Sequence, residues 1–121
     1  MSFTDYHDLE VWISAKDLAV MVYKVSDSFP PKEIYGITSQ MRRSAVSISS
    51  NIAEGVGRST VNDTMHFLYI ARGSLFELDT QLQIALEIGI MNKPAFDTIN
   101  EKLTSTKRRL NGFINYYKSK K

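Results

Sequence analysis

Apolar residues recur along this chain at the three- and four-residue spacing of an α-helix, in four separate stretches. In the first stretch, Leu9, Trp12, Ala15, Ala19 and Val22 keep this spacing. The whole pattern predicts helices over about 8–28, 37–54, 60–88 and 93–118. No stretch alternates apolar and polar residues as a half-buried strand does. The short connections therefore predict an all-α protein, a single domain over residues 1–121 built as an antiparallel up-down four-helix bundle.

Residues that end or begin helices lie between these stretches. Pro30 and Pro31 end the first helix, because proline disfavours helical geometry in the residue before it. The second helix is expected to end at Gly55-Val56-Gly57, where glycine readily takes the positive φ of a C-terminal cap. Thr60 and Asp63 have the spacing of a capping box, which predicts the start of the third helix.

The third stretch is apolar on more than one side. Its expected seam toward the core is Phe67, Ala71, Ser74, Leu75, Leu78, Leu82 and Ala85. A second set falls largely outside that seam: Met65, Leu68, Tyr69, Phe76 and Ile84. A helix with two apolar sides is either central or covered by another subunit. Gly73 in its middle costs up to about 1 kcal/mol relative to alanine, so we expect another backbone to pass close by.

A line of polar residues runs beside the apolar seam of the second helix, and the third helix offers polar residues to match it. Buried charges must be paired or they cost several kcal/mol. We therefore expect a structural polar network between the two helices, formed by Arg43, Asn51, Glu54, Arg72 and Glu77. Arg43 and Glu77 are its expected inward pair. A polar binding site at the same interface is the alternative.

Basic residues are concentrated at the end of the chain. The net charge is +2, yet residues 101–121 carry seven basic residues and one acid, and residues 1–100 carry eight basic and twelve acidic residues. A basic region attracts polyanions. The expected nucleic-acid contacts are Arg42, Arg58, Lys102, Lys107, Arg108, Arg109 and Lys118. Tyr116 and Tyr117 can stack on bases. The alternative is a solvated helix face, with Tyr117 ending the core seam.

The residue types that carry most enzyme chemistry are sparse. The chain has no cysteine, and His7 and His66 are its only histidines. Position i±4 from His66 holds no second metal ligand, whereas a zinc site needs three or four ligands. Glu77 and Asp79 point to different sides of a helix, so they do not form an acid–base pair. We therefore predict no catalytic residue, no metal and no cofactor. No apolar run approaches the roughly 20 residues that span a bilayer, and the N-terminus shows no secretory signal, so we expect a cytoplasmic protein without a membrane partner.

Three strings in order carry a family resemblance: DLEVW, FPPKEIYGITSQMRRSAVSISSNIAEGVGR and FLYIARGSLFELDTQL. The chain resembles the four-helix bundle protein family that includes the proteins encoded in intervening sequences of 23S ribosomal RNA genes. It also resembles, more distantly, the accessory protein of diversity-generating retroelements. The family's usual proline in SIPSN is Ser49 here, which leaves the helix more regular.

The resemblance implies a bundle that assembles into a ring-like homopentamer without established biochemical activity. The retroelement relatives imply a basic surface for nucleic acid and a protein partner. The leading hypothesis is therefore a non-enzymatic homo-oligomeric interaction module that binds RNA or DNA through its basic surface. The alternative is a structural adaptor for a protein partner with no nucleic-acid role.

Overall fold

Four α-helices account for most of residues 5–120, which are the residues that the computed structural model describes. They are α1 at Glu10–Ser26, α2 at Ile37–Val56, α3 at Val61–Glu87 and α4 at Lys93–Lys118, with short 3-10 turns at Tyr6–Asp8 and Pro31–Glu33. No strand occurs between residues 5 and 120. The structure thus confirms the predicted all-α, four-helix fold.

Each helix packs between two neighbours. α1 and α3 both contact α2 and α4, so α1 and α3 lie diagonally across the bundle. Three side-chain pairs show that α1 and α4 run in opposite directions: Glu10 with Arg109, Ser14 with Thr106, and Asp17 with Lys102. α2 and α3 are also antiparallel, as shown by the pairs Gly55 with Thr64 and Ser47 with Ser74.

The core contains a wider face of α3 than the sequence indicated. Met65 and Leu68 were expected outside the seam, but both are buried in the core with Leu75, Leu78 and the other seam residues. Phe67, which was expected in the seam, is only half-buried. The reason is that α3 packs against both α2 and α4, and two neighbours bury a broader stripe than one.

Side chains and a glycine close the ends of α3. The Thr60 hydroxyl oxygen accepts a hydrogen bond from the Asp63 backbone N–H at 3.1 Å, as the capping-box spacing predicted. At the other end Gly89 has a φ of 84°. The Ile90 N–H donates to the Ala85 carbonyl at 3.1 Å, the six-to-one bond of a Schellman motif.

The glycines at the end of α2 act differently from the prediction. α2 continues through Gly55 to Val56, and Gly57 has a φ of −83°, so neither glycine is needed for a positive φ. Gly55 instead permits a close helix contact, because a Cβ there would lie 3.2 Å from both the Thr64 carbonyl oxygen and the Phe67 Cβ. The predicted end of α2 at Gly55-Val56-Gly57 is confirmed, because Gly57 is the C-cap residue, but the expected positive φ is wrong. The Gly55 carbonyl accepts a hydrogen bond from the Thr64 hydroxyl at 2.8 Å.

Gly73 has no close neighbour of the kind that the sequence suggested. A Cβ added there would meet no heavy atom within 4 Å from another part of residues 5–120. The expected approach of a second backbone therefore does not occur within the described chain.

Candidate interaction surfaces

Neutral side chains make the central polar contact between α2 and α3. The hydroxyl oxygens of Ser47 and Ser74 lie 2.8 Å apart. The Asn51 amide donates to both the Ser47 carbonyl and its hydroxyl at 2.9 Å. Asn51 thus orients the Ser47 hydroxyl from within α2 and, within residues 5–120, does not itself bond to α3. Small uncharged groups keep the two helices close without the desolvation cost of buried charges.

Arg43 and Glu77 flank this contact, but they do not form the expected inward pair. Both side chains are exposed, and no ion pair within 4 Å joins them among residues 5–120. They line an open groove of about 480 Å³ between α2 and α3, with Gln40, Ser44, Ser47, Ser74 and Gln81. We call this the polar groove. Gln81 Oε1 is buried and accepts no hydrogen bond from the described residues. The long charged side chains thus reach water at the rim of the seam rather than its interior.

The remaining members of the expected network bind elsewhere. Glu54 pairs with Arg58, which lies just past the end of α2, at 2.6 Å and on the surface. Arg72 extends in the opposite direction, toward α4, where its Nη1 donates to Asn111 Oδ1 at 3.1 Å. The five residues therefore do not form one network between α2 and α3, because Arg72 bonds to α4 and Glu54 bonds to the residue that follows the cap of α2.

Two arginines expected to be available for a ligand are already bound within the chain. Arg42 Nε donates to Ser26 Oγ at 2.8 Å, its Nη2 lies 3.2 Å from Asp27 Oδ1, and its side chain is only 20% exposed. Arg42 therefore ties α2 to the end of α1. Arg58 lies 4.5 Å above the Phe67 ring while it pairs with Glu54. Neither guanidinium is a free cation.

The basic residues of α4 divide into paired and unpaired sets. Lys102 lies 3.8 Å from Asp17, and Arg109 lies 2.6 Å from Glu10. Three others make no ion pair within 4 Å in the described part of the chain: Lys107, Arg108 and Lys118. At 100° per residue they fall within about a 100° arc of α4. We call these three residues the basic stripe.

An apolar surface follows the outer side of α3. Its members are Tyr69, Ile70, Phe76, Ile84 and Ile88, each 39% to 56% exposed. They fall within about a third of the helix circumference, and Gly73 lies among them. We call this surface the α3 apolar face. The sequence indicated Tyr69, Phe76 and Ile84 through the second apolar side of the third helix, but it gave no separate signal for Ile70 or Ile88.

A second groove, between the start of α1 and the end of α4, was not predicted. It is an open surface groove with a volume of about 450 Å³, lined by Leu9, Val11, Arg109, Gly112, Phe113 and Tyr116, with Asp8 and Glu10 on the α1 side. We call it the aromatic groove. The signal that sequence reasoning passed over was Gly112, whose missing side chain leaves the floor open; a Cβ there would meet nothing within 4 Å.

Three aromatic rings at this end of α4 contact one another. The Phe113 and Tyr116 rings are nearly parallel, at 5° and 6.3 Å between centroids. Tyr117 stands edge-on to both, at 5.1 Å from Phe113 and 5.2 Å from Tyr116. Tyr117 packs against the core, and this partial burial raises the pKa of its hydroxyl above the usual value. Tyr116 is the tyrosine of the pair that lines the groove.

Residues 5–120 contain no cluster of three or more His, Cys, Asp or Glu side chains that could hold a metal ion. A separate search of the same residues finds no helix with the length and apolar character needed to cross a membrane.

Comparisons with known proteins agree on the fold. The family model described as "23S rRNA-intervening sequence protein" matches residues 7–112. A crystal structure of a protein of unknown function from the S23 ribosomal protein family of Bacteroides thetaiotaomicron is similar, with a TM-score of 0.77 and 22% identity. The similarity covers 86% of this chain and 97% of that one. No curated protein matches the chain.

Proposed function

The chain belongs to the 23S rRNA-intervening sequence protein family, and on that premise we propose that it is a non-enzymatic helical bundle that associates with copies of itself and acts as an interaction module. The α3 apolar face carries this proposal. Monomeric soluble proteins rarely leave large contiguous apolar patches in water. Five large side chains on one helix face, each at least 39% exposed, are typical of a surface that another chain covers.

Gly73 supports a second copy as the occupant of this face. A helix-interior glycine costs up to about 1 kcal/mol relative to alanine, and no contact within the described chain requires it. A glycine among apolar side chains lets the backbone of a neighbouring helix approach closely.

The position of a second exposed set favours a head-to-tail arrangement. α1 exposes Ile13, Val20 and Tyr23, and it lies diagonally opposite α3 in the bundle. When two different surfaces on opposite sides of a subunit meet, successive contacts close into a ring or continue as a filament. We propose a closed ring, for which the family resemblance gives five copies as the expected number.

Native mass spectrometry of the full chain tests this proposal. We expect a single oligomer for the wild type and a shift toward monomer for Phe76→Glu, because a charge in the covered face is left without water. Thr104→Glu adds the same charge at an exposed position of α4 and is the matched control. A wild-type monomer at micromolar concentration would contradict the proposal.

Nucleic acid is the ligand that the unpaired cations favour. The basic stripe has no acidic partner within the described residues, and the names of the family and of the similar structure both refer to ribosomal components. Repetition of the stripe around an oligomer multiplies weak phosphate contacts. A protein adaptor with no nucleic-acid role is the alternative.

The salt dependence of binding distinguishes the nucleic-acid role from the protein adaptor. Binding of labelled RNA and DNA should weaken steeply between about 50 and 200 mM salt. Changing Lys107 and Arg108 both to glutamate should weaken binding at low salt and make its salt dependence shallower, because fewer phosphates are then neutralised. Lys24→Glu with Lys32→Glu is the charge-matched control on exposed sites away from α4. If no gel shift occurs at low salt with single- or double-stranded probes, the nucleic-acid role is excluded and the adaptor remains.

A further inference from the structure

We infer that the aromatic groove holds an unpaired base of a single-stranded nucleic acid whose backbone runs past Arg108. The inference rests on the nucleic-acid role proposed above and assigns it a specific site between α1 and α4.

The shape of the groove suits a flat ring. Its volume of about 450 Å³ lies in the range of small-molecule sites, and much of its lining is apolar. Gly112 forms the floor, where a side chain would otherwise project into the space. An unpaired base can enter such a groove, whereas a stacked and paired base cannot, because its faces are covered by neighbouring base pairs.

The rings supply a stacking surface of fixed orientation. Phe113 and Tyr116 lie within 5° of parallel, and Tyr117 stands edge-on to both and packs toward the core. A base that stacks on Tyr116 therefore meets a ring that is already oriented. Stacking on an aromatic side chain tolerates every base, because each base has a π-face.

Charges near the groove are placed for a backbone on one side and a base edge on the other. Lys120 Nζ lies over the Tyr116 ring, 4.9 Å from its centroid, so a base that stacks on this face replaces the ammonium and leaves it for a phosphate. Arg108 is one helical turn before Gly112. On the α1 side, Arg109 neutralises Glu10 at 2.6 Å. Asp8 makes no ion pair with a described residue, and its carboxylate is suited to accept hydrogen bonds from the amino group of a base.

Fluorescence anisotropy with the full chain tests the inference, with labelled single-stranded RNA, single-stranded DNA and a duplex of equal length at low salt. Gly112→Leu fills the groove from a position where the added Cβ has free space, and Tyr116→Leu removes the stacking ring. Each should weaken single-strand binding about tenfold and leave duplex binding unchanged. Thr104→Leu adds the same side chain at an exposed position of α4 outside the groove and is the matched control.

The outcomes separate the groove from the broader proposal. Unchanged single-strand affinity in both Gly112→Leu and Tyr116→Leu, each with a wild-type melting temperature, would overturn the base site while leaving nucleic-acid binding in place. If the wild type binds neither strand type nor duplex, the base site and the nucleic-acid role fail together, and a protein occupant is left for the groove.

Discussion

Gly55 illustrates how one residue sets the distance between two helices. The space that a Cβ would need is already occupied by the Thr64 carbonyl oxygen and the Phe67 Cβ, each 3.2 Å from its position. The carbonyl oxygen belongs to the α3 backbone, so it cannot move without shifting that helix. Gly112 offers the opposite environment, with nothing within 4 Å of a Cβ.

Alanine at these two glycines should therefore have opposite effects on the free energy of unfolding. We expect Gly55→Ala to lower it by about 1–3 kcal/mol through overpacking. Gly112→Ala should raise it by up to about 1 kcal/mol, because alanine is the better helix former. Urea unfolding at one protein concentration measures both. An unchanged free energy for Gly55→Ala would show that α3 can shift at little cost and would contradict the close-contact interpretation.

Charged residues at the edge of a helix seam mark the limit of sequence reasoning. Helical spacing placed Asn51 on the polar line of α2, where its amide bonds to Ser47, the residue that contacts Ser74 of α3. The same spacing placed Arg43 and Glu77 near that line, but both side chains extend to water. Spacing gives the direction of a Cα–Cβ bond; the end of a long side chain is placed by solvation and by neighbours from distant parts of the chain.

α3 shows the same limit for a whole element. Its length, its Thr60 cap and its closing Gly89 follow from local sequence, because each depends on residues within one or two turns. The local sequence does not determine which apolar residues of α3 are buried. Met65 and Leu68 join the core only because α2 and α4 both pack on this helix, and α4 is joined through a later loop. The apolar residues left over, with Phe76 the central one, then form the exposed face.

α4 shows how a charge count changes once elements are placed together. The excess of basic residues near its end predicted a broad polyanion surface. Acids of α1, far away in the sequence, neutralise part of it: Glu10 pairs with Arg109, and Asp17 lies near Lys102. Of the basic residues of α4, only the basic stripe makes no ion pair with a described residue, so a nucleic-acid contact on this helix would be narrower than composition alone indicated.

At the scale of the whole molecule, the exposed surfaces suggest that self-association and ligand binding use different parts of the bundle. The α3 apolar face and the exposed apolar residues of α1 lie on diagonally opposite helices, so a head-to-tail contact covers them both. The basic stripe lies on α4, and the aromatic groove lies between α4 and the start of α1, where its lining includes none of the exposed apolar residues of α1. If association uses α1 and α3, then α4 stays available for a ligand in every copy, and the ring repeats one ligand site around its circumference.

This arrangement makes stability depend on protein concentration. Association that binds only the folded chain stabilises it by mass action, so the melting temperature should rise over about a hundredfold increase in concentration. Phe76→Glu should abolish this rise, and Thr104→Glu should keep it. Both are measured by thermal unfolding across a dilution series, with the oligomeric state followed by native mass spectrometry. A melting temperature that is independent of concentration in a range where the wild type changes from monomer to oligomer would contradict the proposed coupling, because it would mean that covering the α3 apolar face adds nothing to the stability of the fold.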